Sequence, residues 1–251
     1  MVLMDTKLVA WSSAMALLLL PSLAAAKPQY GYKGDVAPEK WAELSPKYAT
    51  CSDGAEQAPV NIVSSAAVKK TESRPLKPSY GPTTGDVVIN TGTTIQVNTS
   101  GALKIGNADY KLLQYHLHAP AEEAINGVHY DMNAHLVHQG VDGKLAVISV
   151  LFKKGASNSY LKSFWNKLPQ KKAEKVELNL PALTGMLPSS LNYYTYAGSL
   201  TTPPCTEGVQ FFILKQPVTL SAEQLAAFRR LYPMNARPLQ PLNERVIKTS
   251  N

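Results

Sequence analysis

Residues 115–118 read Tyr-His-Leu-His and residues 135–138 read His-Leu-Val-His, and all five histidines of the 251-residue chain lie between residues 116 and 138. Alternate side chains of a β-strand point to the same face, so His116 and His118 share one face with Gln114. A second apolar run, residues 134–137, can pair with the first and bring His135 to that face. These stretches therefore predict two paired strands that place three imidazoles together.

Three neutral imidazoles on rigid strands are a typical ligand set of a catalytic Zn²⁺ site, in which the fourth position stays open for water. His116, His118 and His135 are therefore the candidate metal ligands. Structural histidines that hydrogen-bond within a sheet are the alternative, and a lone His-x-His favours that alternative. The third histidine at strand spacing favours the metal site.

The rest of the chain predicts one mainly β domain, built on a large mixed sheet with short peripheral helices. Runs of β-forming residues recur between prolines and glycines, at residues 87–89, 94–97, 110–118, 134–137, 145–152 and 209–214. Residues 145–152 are almost continuously apolar, which indicates a central strand buried on both faces. One helix is expected to begin at the capping-box residue Ser221, and a second is expected over residues 160–168.

The N-terminal segment is typical of an export signal. Lys7 gives a weak basic region, residues 8–23 are mostly apolar, and residues 24–26 are three alanines that form a small-residue cleavage site. We therefore expect residues 1–26 to be a signal peptide, residues 27–251 to be the mature domain, and the protein to be periplasmic or extracellular. An uncleaved membrane anchor is the alternative, but the apolar stretch is shorter than the ~20 residues that span a bilayer.

The formal net charge of +7 comes from dispersed lysines and arginines. This distribution argues against nucleic acid or a membrane as a partner of the mature chain, and a basic surface would at most attract small anions.

Two cysteines in an exported protein suggest one disulfide, although two buried free thiols remain open at this point. A bond between Cys51 and Cys205 would close a very long loop, worth roughly 4–5 kcal/mol in the chain-entropy model.

Several motifs resemble those of the α-class carbonic anhydrases. Residues 113–122 (LQYHLHAPAE) resemble the zinc-binding strand of that family, and residues 133–138 (NAHLVH) resemble the strand that supplies its third ligand. Residues 199–209 (SLTTPPCTEGV) look like the family's most recognisable signature. Weaker matches occur at residues 30–32, 37–41, 57–62 and 235–240. The matches follow one order and cover essentially the whole mature chain.

The resemblance implies a fold and a reaction. The fold would be a central, mostly antiparallel sheet of about ten strands with a conical active-site cavity. The reaction would be that of a zinc lyase, in which hydroxide on Zn²⁺ attacks CO₂ and gives bicarbonate and a proton. By motif position, Thr201 would orient the hydroxide and donate its own hydrogen bond to Glu122.

The resemblance also assigns a substrate pocket, a disulfide and a partner. The apolar CO₂ pocket would be built at four positions, which are Val137, Val147, Leu200 and Thr202. Exported bacterial members join the two cysteine positions that correspond to Cys51 and Cys205, and they often form dimers, so a homodimer is a further expectation.

Two positions near the third ligand depart from the family pattern. Asn133 stands where the family usually has Glu, and Glu123 stands where it usually has His. We hypothesise that Asn133 Oδ1 accepts the ring N–H of His135 while the Asn133 amide donates to Glu123. A neutral partner would make His135 a weaker zinc ligand. Gln114 is the expected partner of His116.

A further departure concerns proton transfer. Fast members of the family carry a proton-shuttling His at the position of Thr93, and a threonine cannot carry a proton at neutral pH. His138 points away from His135 and is expected in the core, and His129 is expected at the surface. The sequence therefore predicts an enzyme limited by proton transfer, whose turnover rises with buffer concentration.

Two alternatives compete with the zinc enzyme of CO₂ hydration. One is a non-catalytic binding or storage protein on the same fold, since a fold does not guarantee a function. The other is a zinc hydrolase of esters, although the sequence shows no added nucleophile. The ligand trio, found together with Thr201 and Glu122, favours the CO₂-hydrating enzyme.

Overall fold

The computed structural model describes residues 29–69 and 74–250. The predicted signal peptide, residues 1–26, lies outside the described residues. Within the described part of the chain, no helix combines the length and the apolar character needed to cross a membrane.

The described residues form strands joined by short helices. The strands are β1 (Asn61–Ile62), β2 (Val68–Lys69), β3 (Leu76–Ser79), β4 (Thr83–Asn90), β5 (Ile95–Asn98), β6 (Ala102–Ile105), β7 (Ala108–His118), β8 (Ala124–Ile125), β9 (Val128–His129), β10 (Met132–Gly140), β11 (Leu145–Lys154), β12 (Lys175–Leu180), β13 (Tyr193–Ser199), β14 (Glu207–Leu214), β15 (Val218–Leu220) and β16 (Lys248–Thr249). The α-helices are α1 (Thr50–Asp53), α2 (Ser159–Lys162) and α3 (Ala222–Leu231). The 3₁₀ turns are Gly34–Val36, Pro38–Leu44, Pro46–Tyr48, Ser64–Ala66, Trp165–Lys167 and Leu183–Met186.

Among the described residues, thirteen strands form one large mixed sheet. Its main path runs β12-β4-β5-β7-β10-β11-β14-β13-β16-β2, while β15 pairs with β11 and the β3–β6 hairpin pairs with β7. Neighbours within the described sheet are antiparallel except for β11–β14, β11–β15 and β16–β2. The predicted mainly β fold with a mixed, mostly antiparallel sheet is therefore confirmed. Strands β1, β8 and β9 form a small second sheet.

Strand β11 lies at the centre of the sheet and is covered on both faces. Ile148 and Val150 point into the larger cluster of apolar side chains, whereas Val147 and Leu151 point into the smaller one. This is the two-sided burial that the continuous apolar run predicts. Because β5, β7, β10 and β11 follow one another in the sheet, each of the two histidine strands is paired on both sides.

The two predicted helices have different outcomes. Helix α3 begins at the predicted cap, where Ser221 Oγ accepts the Gln224 backbone N–H at 3.1 Å. The predicted helix over residues 160–168 is wrong in its extent, because α2 ends at Lys162 and only a 3₁₀ turn follows. The Ser163 hydroxyl donates to the Tyr160 carbonyl at 2.7 Å, which is the carbonyl that a continuing helix would use.

His138 is fully buried on the core side of β10, as the sequence predicts. Its Nδ1 lies 3.2 Å from the Ala146 carbonyl, so Nδ1 carries the proton and Nε2 accepts the Tyr80 hydroxyl at 2.6 Å. Burial lowers the pKa of His138 to about 4, which keeps this ring neutral at physiological pH. His138 is therefore a structural residue.

Replacing Tyr80 by phenylalanine is expected to lower the free energy of unfolding by about 1–3 kcal/mol, because His138 Nε2 then stays buried without a donor. Urea denaturation would measure the loss. Tyr194→Phe, at a half-buried tyrosine, is the matched control and should stay within ~0.5 kcal/mol of the unmodified protein. A Y80F loss no larger than that of the control would contradict this role of Tyr80.

Candidate metal centre

Three histidines meet near the middle of the large sheet. His116 and His118 come from β7, and the antiparallel register places His135 of β10 directly opposite His116. One nitrogen from each ring lies within 4.8 Å of the other two. The structure thus brings together the three residues that the sequence selects as metal ligands.

Each ring is oriented by a hydrogen bond at its other nitrogen. His116 Nδ1 lies 2.9 Å from Gln114 Oε1, and His118 Nδ1 lies 2.8 Å from the Asn235 carbonyl. His135 Nε2 lies 2.9 Å from Glu123 Oε1. Because these partners are acceptors, each bonded nitrogen carries the ring proton. The lone pairs that remain are on Nε2 of His116, Nε2 of His118 and Nδ1 of His135.

This arrangement fits a metal ion. His118 Nε2 is buried and has no hydrogen-bond partner in the described part of the chain, which is a costly state for a polar atom. A cation among the three rings would satisfy it. Three imidazole nitrogens with an open fourth position are the donor set of catalytic Zn²⁺.

The electrostatics of the three rings differ. Burial, together with the neighbouring rings, lowers the pKa of His118 well below its usual range and that of His116 to about 3. Burial works in the same direction on His135, but the Glu123 carboxylate beside it raises the pKa of His135 above the ordinary value. His116 and His118 are therefore neutral and available as ligands without loss of a proton.

Glu122 lies directly beside this cluster and is fully buried. Its Oε1 accepts the Arg237 backbone N–H at 2.8 Å, and its Oε2 lies 3.7 Å from His135 Nδ1. Burial raises the pKa of Glu122 to about 7, against the lowering effects of His135, the Arg237 N–H and the Thr201 hydroxyl. Thr201 is also buried, and its hydroxyl is close enough to the Glu122 carboxyl to lower the pKa of that group, although Glu122 Oε2 has no hydrogen-bond partner among the described residues.

The hypothesis for Asn133 is half wrong. His135 does not donate to Asn133 but to Glu123, so a carboxylate and not a neutral amide orients the His135 ring. Asn133 Oδ1 instead accepts the Glu122 backbone N–H at 3.2 Å. The other half of the hypothesis is confirmed, because Asn133 Nδ2 donates to Glu123 Oε2 at 3.3 Å. Glu123 takes this place because it lies in the segment between β7 and β8, from which its side chain reaches the His135 ring.

Three contributors to the site were not predicted. Ser149 of β11 donates to Glu123 Oε2 at 3.0 Å, and its presence in an otherwise apolar run was an available signal. The Asn235 carbonyl and the Arg237 N–H are backbone groups, which every residue type offers, so the sequence carries no signal for them.

Three of the four positions that the resemblance assigns to the substrate pocket carry side chains of one apolar cluster. Val137 and Val147 are paired across β10 and β11 and are buried, and Leu200 packs against the same cluster. Thr202 and Thr93 are half-buried.

His129 is exposed, with Nδ1 2.8 Å from the Ala121 carbonyl, as expected for a surface residue.

A disulfide between Cys51 and Cys205 is present, so the pairing implied by the resemblance is confirmed. The bond fastens the loop that carries Thr201 to α1. The same loop is held by the Gln57 side chain, whose Nε2 donates to the Cys205 carbonyl at 3.1 Å.

Comparisons with known proteins agree on one family. Residues 36–251 match the family model of the eukaryotic-type carbonic anhydrases. A carbonic anhydrase from Pectobacterium carotovorum is 40% identical over 222 residues, which cover 87% of this chain and 89% of that protein. One from Klebsiella pneumoniae is 39% identical over 244 residues, covering 94% of this chain and 96% of that protein.

A solved structure gives the same result. The α-carbonic anhydrase from Thermovibrio ammonificans, in complex with the inhibitor sulfanilamide, is 38% identical to this chain with a TM-score of 0.84. The match covers 89% of this chain and the full length of that one, 100%.

Proposed function

The chain belongs to the eukaryotic-type carbonic anhydrase family, and from this premise we propose that it holds Zn²⁺ at His116, His118 and His135 and catalyses the reversible hydration of CO₂ to bicarbonate and a proton. The observation that carries the proposal is the convergence of three imidazole nitrogens, one of them buried and unpartnered. When bound, Zn²⁺ lowers the pKa of a coordinated water to about 7 and makes hydroxide accessible at neutral pH, a value established for this enzyme class and not obtained from the present geometry.

Thr201 and Glu122 would orient the nucleophile. The Arg237 backbone N–H holds Glu122 Oε1 as an acceptor, and the hydroxyl of Thr201 would donate its hydrogen to the same carboxylate. The Thr201 oxygen is then free to accept a hydrogen bond from the attacking group. Holding a nucleophile in one orientation is a recognised source of rate enhancement.

The apolar wall would receive CO₂. Val137, Val147 and Leu200 belong to one cluster of apolar side chains on the face of the sheet that carries the metal ligands. CO₂ is stabilised by contact with such an apolar surface, whereas the charged bicarbonate is not. The difference favours release of bicarbonate.

Proton release would set the rate. The histidines outside the ligand trio are His129, on the surface, and His138, buried against Tyr80, so neither is placed to relay a proton from the centre. Transfer from a group of pKa ~7 to water, with recombination near the diffusion limit of ~10¹⁰ M⁻¹s⁻¹, allows roughly 10³ turnovers per second.

Turnover of the zinc-loaded protein is expected to rise with buffer concentration from that ceiling, because buffer molecules take over the missing relay. Stopped-flow CO₂ hydration across a buffer series would measure it, beside a metal-stripped control that should show no enzymatic rate. Turnover near 10⁶ s⁻¹ in dilute buffer, the rate of fast carbonic anhydrases, would contradict the limit. No turnover from a protein with one bound zinc would favour the binding-protein alternative.

Export belongs to the same proposal. A disulfide is typical of proteins in oxidising compartments, so the Cys51–Cys205 bond supports a periplasmic or extracellular location. Residues 1–26 would then be the signal peptide and residues 27–251 the mature enzyme. The intact mass of protein recovered from the export compartment tests cleavage after Ala26.

A further inference from the structure

The carboxylate beside the third ligand comes from outside the ligand strands. Glu123 follows β7 at the start of the β8 hairpin, yet its Oε1 lies 2.9 Å from His135 Nε2 on β10. Glu123 and His135 are almost completely buried, at 0% and 2% exposure. A buried carboxylate costs free energy unless it is paired, so this contact is a specific one.

Two neutral side chains hold the other oxygen of Glu123. Ser149 Oγ donates to Oε2 at 3.0 Å, and Asn133 Nδ2 donates to it at 3.3 Å. Ser149 is directly opposite His135 in the β10–β11 register, and Asn133 is two residues before His135 on the same face of β10. Three donors from two strands therefore fix one carboxylate against the ring.

The residue types at positions 123 and 133 depend on each other. The Asn133 amide both accepts the Glu122 backbone N–H and donates to Glu123. An ionised glutamate at position 133 has no hydrogen to donate and would place a second negative charge against Glu123 in a buried site. Asparagine at 133 is thus the partner that a carboxylate at 123 requires.

We propose that Glu123 is the positioning residue of the third metal ligand. It keeps the proton of His135 on Nε2, holds the Nδ1 lone pair towards His116 and His118, and thereby slows the loss of the metal ion. This inference rests on the proposed function, because it concerns zinc held by the three histidines. Loss of such an outer partner typically costs 10–100-fold in metal affinity.

Zinc dissociation tests the proposal when it is measured by transfer to an excess of a chromophoric chelator. Glu123→Gln is expected to release zinc about 10–100-fold faster than the unmodified protein. Glu244→Gln, the same change at an exposed glutamate, is the matched control and should leave the rate unchanged.

A variant that moves the carboxylate from position 123 to position 133 tests whether Glu123 positions His135 or only fills space. Asn133 is on the same face of β10 as His135, two residues before it, so a glutamate at 133 places a carboxylate one bond longer beside that ring. The double variant E123Q/N133E is therefore expected to restore most of the slow dissociation. Rescue by a carboxylate on β10 is not expected if Glu123 only fills space.

The proton on His135 gives a readout that needs no variant. In ¹⁵N-labelled zinc-loaded protein, NMR should find the ring proton of His135 on Nε2 and those of His116 and His118 on Nδ1. In E123Q, the His135 resonance alone should move. A proton on Nδ1 of unmodified His135 overturns the proposal even where E123Q fails to fold.

The outcomes distinguish the two levels of inference. If the unmodified protein binds no zinc by elemental analysis, the proposed function fails and this inference fails with it. If the unmodified protein binds one zinc but E123Q releases it no faster than E244Q, only the role of Glu123 is overturned.

Discussion

Replacing His118 by alanine is expected to lower CO₂ hydration at least ~1,000-fold and to reduce bound zinc well below one ion per chain. A catalytic zinc site needs three protein ligands, and His118 is the most buried of the three imidazoles, at 1% exposure. Two remaining nitrogens hold the ion weakly. Its loss removes the several kcal/mol that a metal contributes to such a reaction, and each 1.36 kcal/mol is a factor of ten in rate.

The matched control is His129→Ala. His129 is an exposed histidine whose ring bonds the Ala121 carbonyl. This variant should keep one zinc per chain and the turnover of the unmodified protein. Stopped-flow hydration and elemental analysis on the same samples would measure both quantities. An H118A protein with a full zinc complement and unchanged turnover would rule out the proposed ligand set.

The convergence of the three histidines could be predicted because its geometry is local. Two residues of separation on a strand always place side chains on one face, so His116 and His118 are fixed by spacing alone. The third ligand required only that two apolar runs pair, and the register that puts His135 opposite His116 follows from burying Leu117 and Ala134 on the other face.

The contacts around the three histidines were harder to predict, because they depend on where other segments place their side chains and carbonyls and not on residue spacing along one strand. Sequence position suggested Asn133 as the partner of His135, since it is on the same strand and the same face. The structure places Glu123 there instead, because the turn after β7 brings that side chain over β10. The Asn235 carbonyl that orients His118 belongs to a segment more than a hundred residues away, at a separation of 117.

The extent of α2 was predicted wrongly for a local reason. The apolar spacing of residues 160–168 is helical, and the side chains of that stretch are buried as a helix would bury them. The backbone nevertheless changes to a 3₁₀ turn, in which the Tyr160 carbonyl accepts both the Ser163 N–H and its hydroxyl and the Phe164 N–H bonds the Leu161 carbonyl. Apolar periodicity therefore predicts which face is buried more reliably than it predicts the type of helix.

Removing the disulfide is expected to cost more stability than any single side-chain change proposed above. The two cysteines are 154 residues apart, and the chain-entropy model gives roughly 5 kcal/mol for a loop of that length. That is a third or more of the total stability of a typical domain, about 5–15 kcal/mol. For a chain of this size, the midpoint of thermal unfolding should fall by ~10–20 °C.

The double variant C51A/C205A makes the measurement, because alanine keeps each Cβ and adds no polar atom to the small cluster of Trp41, Tyr48 and the two cysteines. Activity at 25 °C should fall much less than stability. The loop of Thr201 keeps two other attachments, from Gln57 Nε2 to the Cys205 carbonyl at 3.1 Å and from the Leu200 N–H to the Thr206 carbonyl at 2.9 Å.

Urea unfolding and stopped-flow hydration of the same preparation compare the loss of stability with the loss of activity. The reduced unmodified protein is the control and should match the variant. An unfolding free energy within ~1 kcal/mol of the oxidised protein would show that the bond constrains the unfolded chain far less than its loop length predicts. A loss of activity as large as the loss of stability would instead show that the bond positions Thr201 directly.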